Sequence, residues 1–255
     1  MGMKITVLGC GSSGGVPLIG GNWGVCDPQN PKNRRSRVSI LVEQGDTTLL
    51  VDTSPDMRQQ LLDCSLKKLD AVLYTHAHAD HCHGIDELRS INWLMNKPTD
   101  MYADAQTLDA LTQRFPYIFD TAKSGGYYKP AIAAHKINGA FSVGDVSIVP
   151  FVQNHGYMNS LGFRFGDFAY STDVHKLDDA AFATLQGVKV WLVDCVRHEP
   201  HPTHSHVAQT LQWIKRVRPE QAYLTHMNHT MDYDTLVREL PGGVAPAYDG
   251  MVITC

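Results

Sequence analysis

The sequence predicts a single α/β domain in which two β-sheets are covered by helices, and three observations lead to this prediction. Short apolar runs, several of them β-branched, recur along all 255 residues. Amphipathic stretches with helical spacing alternate with some of these runs. The chain contains no linker, no low-complexity segment and no repeat of fixed period. We therefore expect one domain that covers residues 1–255.

Ten segments have the length and composition of β-strands. They are Lys4–Leu8, Val38–Glu43, Thr48–Asp52, Asp70–Tyr74, Val146–Val152, Leu161–Phe165, Phe168–Ser171, Lys189–Asp194, Gln221–Thr225 and Met251–Thr254. A strand-to-loop junction can hold functional side chains rigidly while leaving them open to solvent. Functional side chains are therefore expected at the strand ends.

Three amphipathic stretches are predicted to be helices. In the first, Ser54 and Pro55 are typical of an N-cap followed by proline at the first helical position, and three apolar residues then share one face. Those residues are Met57, Leu61 and Leu62. The second stretch begins near residue 84, and its apolar positions are Ile85, Leu88, Ile91, Trp93 and Leu94. The third stretch ends before Pro219, and its apolar positions are Val207, Leu211, Ile214 and Val217.

Composition excludes several classes of function. A hydrophobic fraction of 43% and a charged fraction of 19% are typical of a soluble globular protein. The net charge of −4 creates no field that would attract nucleic acid or an anionic membrane. No apolar segment approaches the roughly 20 residues that span a bilayer, and the N-terminal apolar stretch is too short for a signal peptide. We expect a cytoplasmic protein with neither a membrane partner nor a stable nucleic-acid partner.

The cysteines argue in the same direction. The six residues are Cys10, Cys26, Cys64, Cys82, Cys195 and Cys255. They are scattered and include no Cys-x-x-Cys pair, which argues against both a disulfide framework and a self-contained zinc finger. A reducing compartment is the default expectation.

The most informative segment lies between residues 75 and 83. It carries four metal-capable side chains within six positions, namely His76, His78, Asp80 and His81. The predicted strand that ends at Tyr74 delivers this segment to a sheet edge. Histidine and carboxylate together suit divalent ions such as zinc, manganese or iron. The alternative is a polar loop that is merely rich in histidine, but chance clustering does not favour this alternation with an aspartate.

Three further metal-capable residues follow later predicted strands. They are His155, Asp173 and His226. Taken singly, each is equally well explained as a capping aspartate or a surface histidine. Taken together, three such groups at three strand ends predict the rest of a metal site.

These seven residues carry a resemblance to a known family. The His-x-His-x-Asp-His motif, read here as residues 76–81, is that of the metallo-β-lactamase superfamily. The sequence is most similar to the branch that contains the phosphoribosyl 1,2-cyclic phosphate phosphodiesterase of the carbon–phosphorus lyase pathway, over essentially the whole chain. The resemblance implies an αββα sandwich, in which two facing mixed β-sheets are flanked by helices and the site lies at one edge of the sheets.

The resemblance also implies a site for two divalent ions per chain, manganese or zinc. Its ligand set is His76, His78 and His155 for one ion, Asp80, His81 and His226 for the other, and Asp173 as the bridge. Asp80 is assigned a catalytic role as well. Two dications that meet two carboxylates leave the site net positive, which favours an anionic substrate such as a phosphodiester. A thioester or a lactam would also be polarised, so the charge alone does not decide.

The segment 198–206 contains four more histidines before a predicted helix. In the resembled branch, a histidine 22 positions before the last ligand is the proton donor to the leaving alkoxide, and His204 holds that position here. Such general acids typically contribute about 10²–10⁴-fold in rate. His206 is the alternative, because an alignment can slip through a proline-rich loop. His198 and His201 are expected to be exposed loop residues.

Two strand-end carboxylates are candidates to orient ligand histidines, with an ordinary turn role equally open. They are Asp52 and Asp194. The glycine-rich loop at residues 9–15 is either a phosphate-binding nest or a flexible turn. The basic run Lys32–Arg37 is either one wall of the substrate cleft or a solvated surface.

The resemblance is incomplete in one respect, because the branch carries a structural zinc. This chain retains only Cys26 and His229 in comparable places, so no structural zinc is expected. The long connection at residues 115–130 is a candidate lid or binding loop. Its aromatic and basic candidates are Phe119, Tyr127, Tyr128, Lys123 and Lys129.

The predicted function is that of a dinuclear-metal hydrolase that cleaves a small cyclic or nucleotide-like phosphodiester. The alternatives are a tRNA 3′-processing endonuclease, a thioesterase or lactonase of the same superfamily, and a binding protein without catalysis. The chain lacks the long basic insertion expected for tRNA, and all seven ligand positions are present, which favours catalysis. A homodimer is left open.

Overall fold

The structure is a computed structural model, and it describes residues 2–119 and 131–255. The described strands are β1 (Lys4–Gly9), β2 (Ser39–Gln44), β3 (Thr47–Val51), β4 (Ala71–Leu73), β5 (Thr99–Ala103), β6 (Ile132–Lys136), β7 (Phe141–Val143), β8 (Val146–Asn154), β9 (Asn159–Phe165), β10 (Phe168–Ser171), β11 (Val190–Asp194), β12 (Gln221–Thr225), β13 (Val244–Pro246) and β14 (Val252–Thr254). The α-helices are α1 (Met57–Asp63), α2 (Ala79–Cys82), α3 (Leu88–Met95), α4 (Ala105–Arg114), α5 (Pro116–Phe119), α6 (Asp179–Leu185), α7 (Val207–Val217) and α8 (Tyr233–Glu239). Single 3₁₀ turns cover Pro31–Asn33 and Ile85–Glu87.

The strands form two seven-stranded mixed sheets within the described ranges. The first sheet has the order β14-β1-β2-β3-β4-β5-β6, and the second has the order β13-β12-β11-β10-β9-β8-β7. In each sheet, a parallel block joins an antiparallel block. Inward side chains of the two sheets form one buried cluster that includes Ile5, Val51, Phe163 and Trp191. The predicted sandwich of two facing mixed sheets flanked by helices is confirmed.

Helices cover the outer faces because their apolar stripes have nowhere else to be buried. On the first sheet, helices α1, α3 and α4 pack Leu61, Leu88 and Leu111 into a second buried cluster. On the second sheet, helices α6 and α7 contribute Phe182 and Trp213. None of the helices in the described part of the chain is long and apolar enough to cross a membrane.

All ten predicted strands are present, with ends that differ by at most two residues. The predictions for the first two helices need correction. Helix α1 begins at Met57 and has Asp56 at its N-cap position; the Ser54 hydroxyl accepts from the Asp56 N–H at 3.1 Å and donates to Gln60 at 2.9 Å in a turn that precedes the helix. Leu62 is 56% exposed, since a residue five positions after Met57 turns away from the face that Met57 shares with Leu61.

The second predicted helix is also altered. It is split into the 3₁₀ turn that starts at Ile85 and helix α3. Trp93 and Leu94 are more than half exposed, because the buried stripe runs through Leu88 and Ile91 instead. The third predicted helix, α7, is confirmed and ends at Val217.

Candidate metal centre

The seven predicted ligands come together at one edge of the two sheets. His76 to His81 occupy the loop after β4 and the short helix α2, and His155, Asp173 and His226 follow β8, β10 and β12. Asp173 and His226 have positive φ angles of 53° and 58°, in the left-handed region. Strained backbone of this kind, at about 1–3 kcal/mol per residue, is typical of functional sites.

The carboxylate of Asp173 lies at the centre of the cluster. Its Oδ2 is 3.4 Å from His155 Nε2 and 3.8 Å from His76 Nε2. Its Oδ1 is 3.0 Å from His81 Nε2 and 3.2 Å from His226 Nε2. Each oxygen therefore faces a different pair of imidazoles, which is the arrangement that a bridging carboxylate requires.

Among the described residues, three groups have ligand atoms close enough to hold an ion; one of them, Asp194, His204 and His226, consists of the histidine pair and the carboxylate behind it, and the other two contain the predicted ligands. Of these two, one is His76, His78, His155 and Asp173, and the other is Asp80, His81, Asp173 and His226. They share Asp173, and each combines imidazole nitrogens with carboxylate oxygens. Such a donor set suits divalent transition metals.

The hydrogen bonds behind the histidines fix which ring nitrogen faces the centre. His81 Nδ1 lies 2.7 Å from Asp52 Oδ2, and His155 Nδ1 lies 2.8 Å from the carbonyl of Thr203. Both acceptors lack a proton to donate, so each Nδ1 carries the proton and each Nε2 offers a lone pair to the cluster. His76 Nδ1 lies 3.0 Å from the Thr75 hydroxyl, which itself donates to Asp52 and therefore accepts from His76.

Unpartnered atoms test whether a metal fits this donor set. Within the described residues, the buried Nε2 atoms of His76, His81 and His226 have no hydrogen-bond partner. Burying polar atoms without partners is costly, and lone pairs that face a carboxylate repel it. A divalent cation between them removes both penalties, so the residues present fit a metal.

The pKa values show a concentration of negative charge at the centre of the cluster, which a bound cation would neutralise in place of a proton on His81. Burial, reinforced by neighbouring His81, holds the pKa of His76 well below its usual value, which keeps it in the neutral form that binds metals. Burial works against charge on His81, yet Asp173, Asp80 and Asp52 outweigh it and raise its pKa. Burial also opposes ionisation of Asp173, and the surrounding imidazoles, His226 first, reverse this and lower its pKa.

Two buried carboxylates stand behind the ligand histidines. Asp52 accepts from His81 Nδ1 and from the backbone N–H of Thr75 at 2.8 Å. Asp194 lies 3.5 Å from His204 Nδ1 and 3.6 Å from His226 Nδ1, and it accepts from the Ser205 backbone N–H at 3.0 Å. The orienting role is therefore favoured over an ordinary turn role for both residues.

Among the four histidines of 198–206, His204 lies at the cluster. Its ring stacks on His226 with centroids 4.6 Å apart, and its Nε2 is 3.9 Å from Asp173 Oδ2. His206 is the N-cap of α7 and lines no part of the pocket beside the cluster. The expectation that His198 and His201 are exposed is wrong, because both are partly buried and the His201 ring lies 4.9 Å from that of His204.

A pocket of 460 Å³ opens onto the cluster. Its lining residues are Ser13, His78, Asp80, His155, Tyr157, Met158, Asp173, Thr203, His204 and His226. The glycine loop thus reaches the site through Ser13. Sequence reasoning missed Tyr157, Met158 and Thr203, and proximity to His155 and His204 along the chain was the only signal available.

The basic run at residues 32–37 does not line this pocket, which corrects one interpretation of the sequence. Lys32 lies over the rings of Tyr233 and Tyr248, and Arg37 pairs with Asp56 at 2.9 Å. Arg35 is buried. These side chains fasten loops together, and Arg37 lines a separate cavity of 720 Å³ that includes none of the predicted ligands.

Two other expectations concern nearby segments. The Cys26 thiol lies 3.5 Å from the carbonyl of His229 and 3.8 Å from the Arg35 guanidinium. The structure places helix α5 at the start of the connection at 115–130, and Phe119 is partly buried at its end. The lid prediction for the remainder lies outside the described residues, as do Lys123, Tyr127, Tyr128 and Lys129.

Comparison with known proteins gives the family. A family model described as a β-lactamase superfamily domain matches residues 47–227. A protein named octanoyltransferase from Porphyromonas gingivalis is 30% identical over 252 residues, which are 98% of this chain and 51% of that protein. A ribonuclease Z from Bradyrhizobium diazoefficiens is 27% identical over 139 residues, 53% of this chain and 46% of that protein. The chain spans about half the length of these curated relatives.

A solved structure resembles the whole chain. It is the crystal structure of a new diphosphatase from the PhnP family, and it aligns with a TM-score of 0.91 and 33% identity over 100% of this chain and 98% of that one. The fold, the matched family model and this neighbour agree with one another. The protein belongs to the β-lactamase superfamily, has the metallo-β-lactamase fold and resembles the PhnP branch.

Proposed function

We propose that this superfamily hydrolase uses a dinuclear manganese or zinc site to cleave a small phosphodiester, cyclic or nucleotide-like. The observation that carries the proposal is the position of Asp173, whose two oxygens face two different pairs of imidazoles. Ions bound by the two groups would lower the pKa of water and offset charge on a phosphoryl group. The ligands would be His76, His78 and His155 for one ion and Asp80, His81 and His226 for the other, with Asp173 shared.

His204 is proposed as the general acid. Burial opposes its protonation, but Asp194 and then Asp173 outweigh burial and raise its pKa to about 9. Its Nε2 faces the pocket that the substrate would occupy, so a protonated His204 could donate its proton there. A proton delivered there would neutralise the leaving oxygen of a diester.

Ser13 is proposed to bind a phosphoryl oxygen. It sits in the turn closed by the Gly15 N–H, which donates to the Ser12 carbonyl at 2.8 Å. No hydrogen bond among the described residues uses the backbone N–H or the hydroxyl of Ser13. Both groups are thus available to an anion in the pocket, in keeping with the phosphate-nest interpretation of the glycine loop.

A substrate panel tests the proposal. Bis-p-nitrophenyl phosphate, an organic diphosphate, an octanoyl thioester and a lactone would each be offered to metal-loaded protein with and without chelator. We expect the diester to be cleaved and the cleavage to stop with chelator. The diphosphate is included because the structural neighbour is a diphosphatase. Cleavage of the thioester or lactone alone would overturn the phosphodiester assignment.

Hydrolysis of an acyl thioester is the second candidate. The observation that favours it is the octanoyltransferase relative, in which a segment 30% identical to this chain makes up about half of the protein. A fused segment often serves the same substrate as its neighbour. The metal cluster would polarise a thioester carbonyl as well, whereas a thiolate leaves without the proton that His204 is proposed to supply.

A further inference from the structure

Tyr157 is a large aromatic side chain that contributes nothing to the core. It is 95% exposed, yet it lines the pocket over the metal-ligand cluster. Within the described residues, its side chain has no hydrogen-bond, ion-pair or aromatic partner, whereas Tyr117 bonds to Asp86 at 2.7 Å. An exposed aromatic residue is ordinary elsewhere on a surface, but here it forms part of the rim of a functional site.

The backbone that carries Tyr157 is held firmly. The His155 N–H donates to the Met158 carbonyl at 2.8 Å, and the Gly156 N–H donates to the Asn154 side chain at 3.1 Å. Gly156 has a φ of +79°, and a Cβ there would lie 2.6 Å from Thr203 Cγ2. The turn is therefore packed against the loop that presents His204, so the ring projects from a fixed support.

We propose that Tyr157 forms an aromatic subsite that stacks on a flat ring of the substrate, such as a nucleobase. This inference rests on the proposed function and narrows its substrate class to phosphoryl compounds with a planar aromatic group. A tyrosine suits this role because its rigid ring offers a large contact area at low entropic cost. Stacking on an aromatic side chain is independent of hydrogen-bond pattern, so it selects for a ring rather than for one base.

The pocket has room for such a ligand. Its volume of 460 Å³ lies within the about 300–1,000 Å³ typical of small-molecule sites. Ser13 offers donors to the phosphoryl end, while Tyr157 and the partly buried Met158 offer an apolar surface for the other end. The lining thus divides into a polar part around the histidines and one aromatic wall.

Binding measured by calorimetry tests the inference without any need for turnover. Adenosine 5′-monophosphate and methyl phosphate would be titrated into metal-loaded wild-type protein, Tyr157→Phe and Tyr157→Ala. We expect the wild type to bind the nucleotide at least about tenfold more tightly than methyl phosphate, and Tyr157→Ala to lose that preference. Tyr157→Phe should retain it, because the ring remains. Trp93→Ala is the matched control, since Trp93 is 57% exposed and lies outside the pocket lining.

Each other result contradicts the inference. Equal affinity of the wild type for both ligands, or no binding of either, overturns it. Unchanged nucleotide affinity in Tyr157→Ala also overturns it, as does an equal loss of affinity for both ligands, which would indicate a role in pocket shape. Failure of the proposed function would look different. It would leave nucleotide binding and its dependence on Tyr157 intact while no diester is hydrolysed.

Discussion

Asp52 and Asp194 are the two buried carboxylates behind the cluster, and they hold their histidines in different ways. Asp52 serves one imidazole: its Oδ2 is 2.7 Å from His81 Nδ1, and the same carboxylate accepts two bonds of 2.8 Å from Thr75. Asp194 faces two imidazoles at longer range, His204 Nδ1 at 3.5 Å and His226 Nδ1 at 3.6 Å. The first sheet supplies Asp52, after β3, and the second supplies Asp194, at the end of β11.

This difference in hydrogen bonding predicts different roles for the two carboxylates. A ring held at 2.7 Å by a buried carboxylate has one tautomer and one orientation, which is what a metal ligand needs. A carboxylate shared by two stacked rings at 3.5–3.6 Å can draw closer to whichever ring carries a proton. We therefore expect Asp52 to govern metal affinity and Asp194 to govern proton delivery through His204.

The largest expected effect comes from removing Asp173, the residue that the two groups of metal ligands share. Asp173→Ala should lose both ions and all diester hydrolysis, because each Asp173 oxygen faces one ligand pair. Elemental analysis of purified protein measures the metal content. Asp109→Ala, which changes an exposed aspartate on α4, is the control. Retention of two ions per chain in Asp173→Ala would show that the two ligand groups bind metal without this bridging carboxylate.

The variant His204→Ala tests whether this residue delivers the proton to the leaving group. We expect hydrolysis of alkyl phosphodiesters to fall by about 10²–10⁴-fold, whereas p-nitrophenyl esters should be affected much less because their leaving group needs no proton. Steady-state kinetics on the two ester classes gives the comparison, with His198→Ala as the control. Asp194→Asn should show the same selectivity in weaker form. An equal loss on both ester classes would exclude His204 as the acid.

The variant Asp52→Asn tests whether this carboxylate governs metal affinity. Loss of the carboxylate that orients a ligand histidine typically weakens metal binding by about 10–100-fold. Competition with a chromogenic chelator measures this, and we expect Asp194→Asn to lose less affinity than Asp52→Asn. If the two variants lose equal amounts, the distinction between the two carboxylates is wrong.

A partly buried carboxylate, Asp249, extends the comparison to a site without histidine. It accepts hydrogen bonds from Ser36 and Cys10, but burial outweighs these bonds and raises its pKa from 3.8 to about 6. Its folded pKa is the higher one, so the contribution of Asp249 to the free energy of unfolding is fully present below pH 4 and is lost as the pH rises through 6, by about 3 kcal/mol in total. Urea unfolding at pH 5 and pH 7.5, with Asp249→Asn as reference, checks this. An identical pH dependence in the variant would contradict it.

Much of the fold was predictable because its strands are apolar, β-branched and punctuated by polar ends. Strands β5, β6, β7 and β13 were missed for a physical reason. They are three to five residues long, and β5 and β6 mix polar with small apolar residues, as in Thr-Asp-Met-Tyr-Ala at 99–103. Pairing with neighbours distant in sequence, rather than local composition, makes them strands.

The ligand positions were predictable from the motif and from the strand ends. The surroundings were not, because they depend on contacts between distant segments. Arg37 was a candidate for the substrate cleft, but it forms an ion pair with Asp56 and lines a different cavity. Tyr157 gave no periodic signal, and only the path of the 154–158 turn places it over the cluster. The contact between the rings of His201 and His204 likewise depends on the conformation of their loop.

The most direct test of the dinuclear-hydrolase account is to titrate chelated protein with manganese while following hydrolysis of bis-p-nitrophenyl phosphate. The account predicts that activity rises until two equivalents of metal per chain are bound and is then constant. A plateau at one equivalent, or no hydrolysis at any metal concentration, would contradict it.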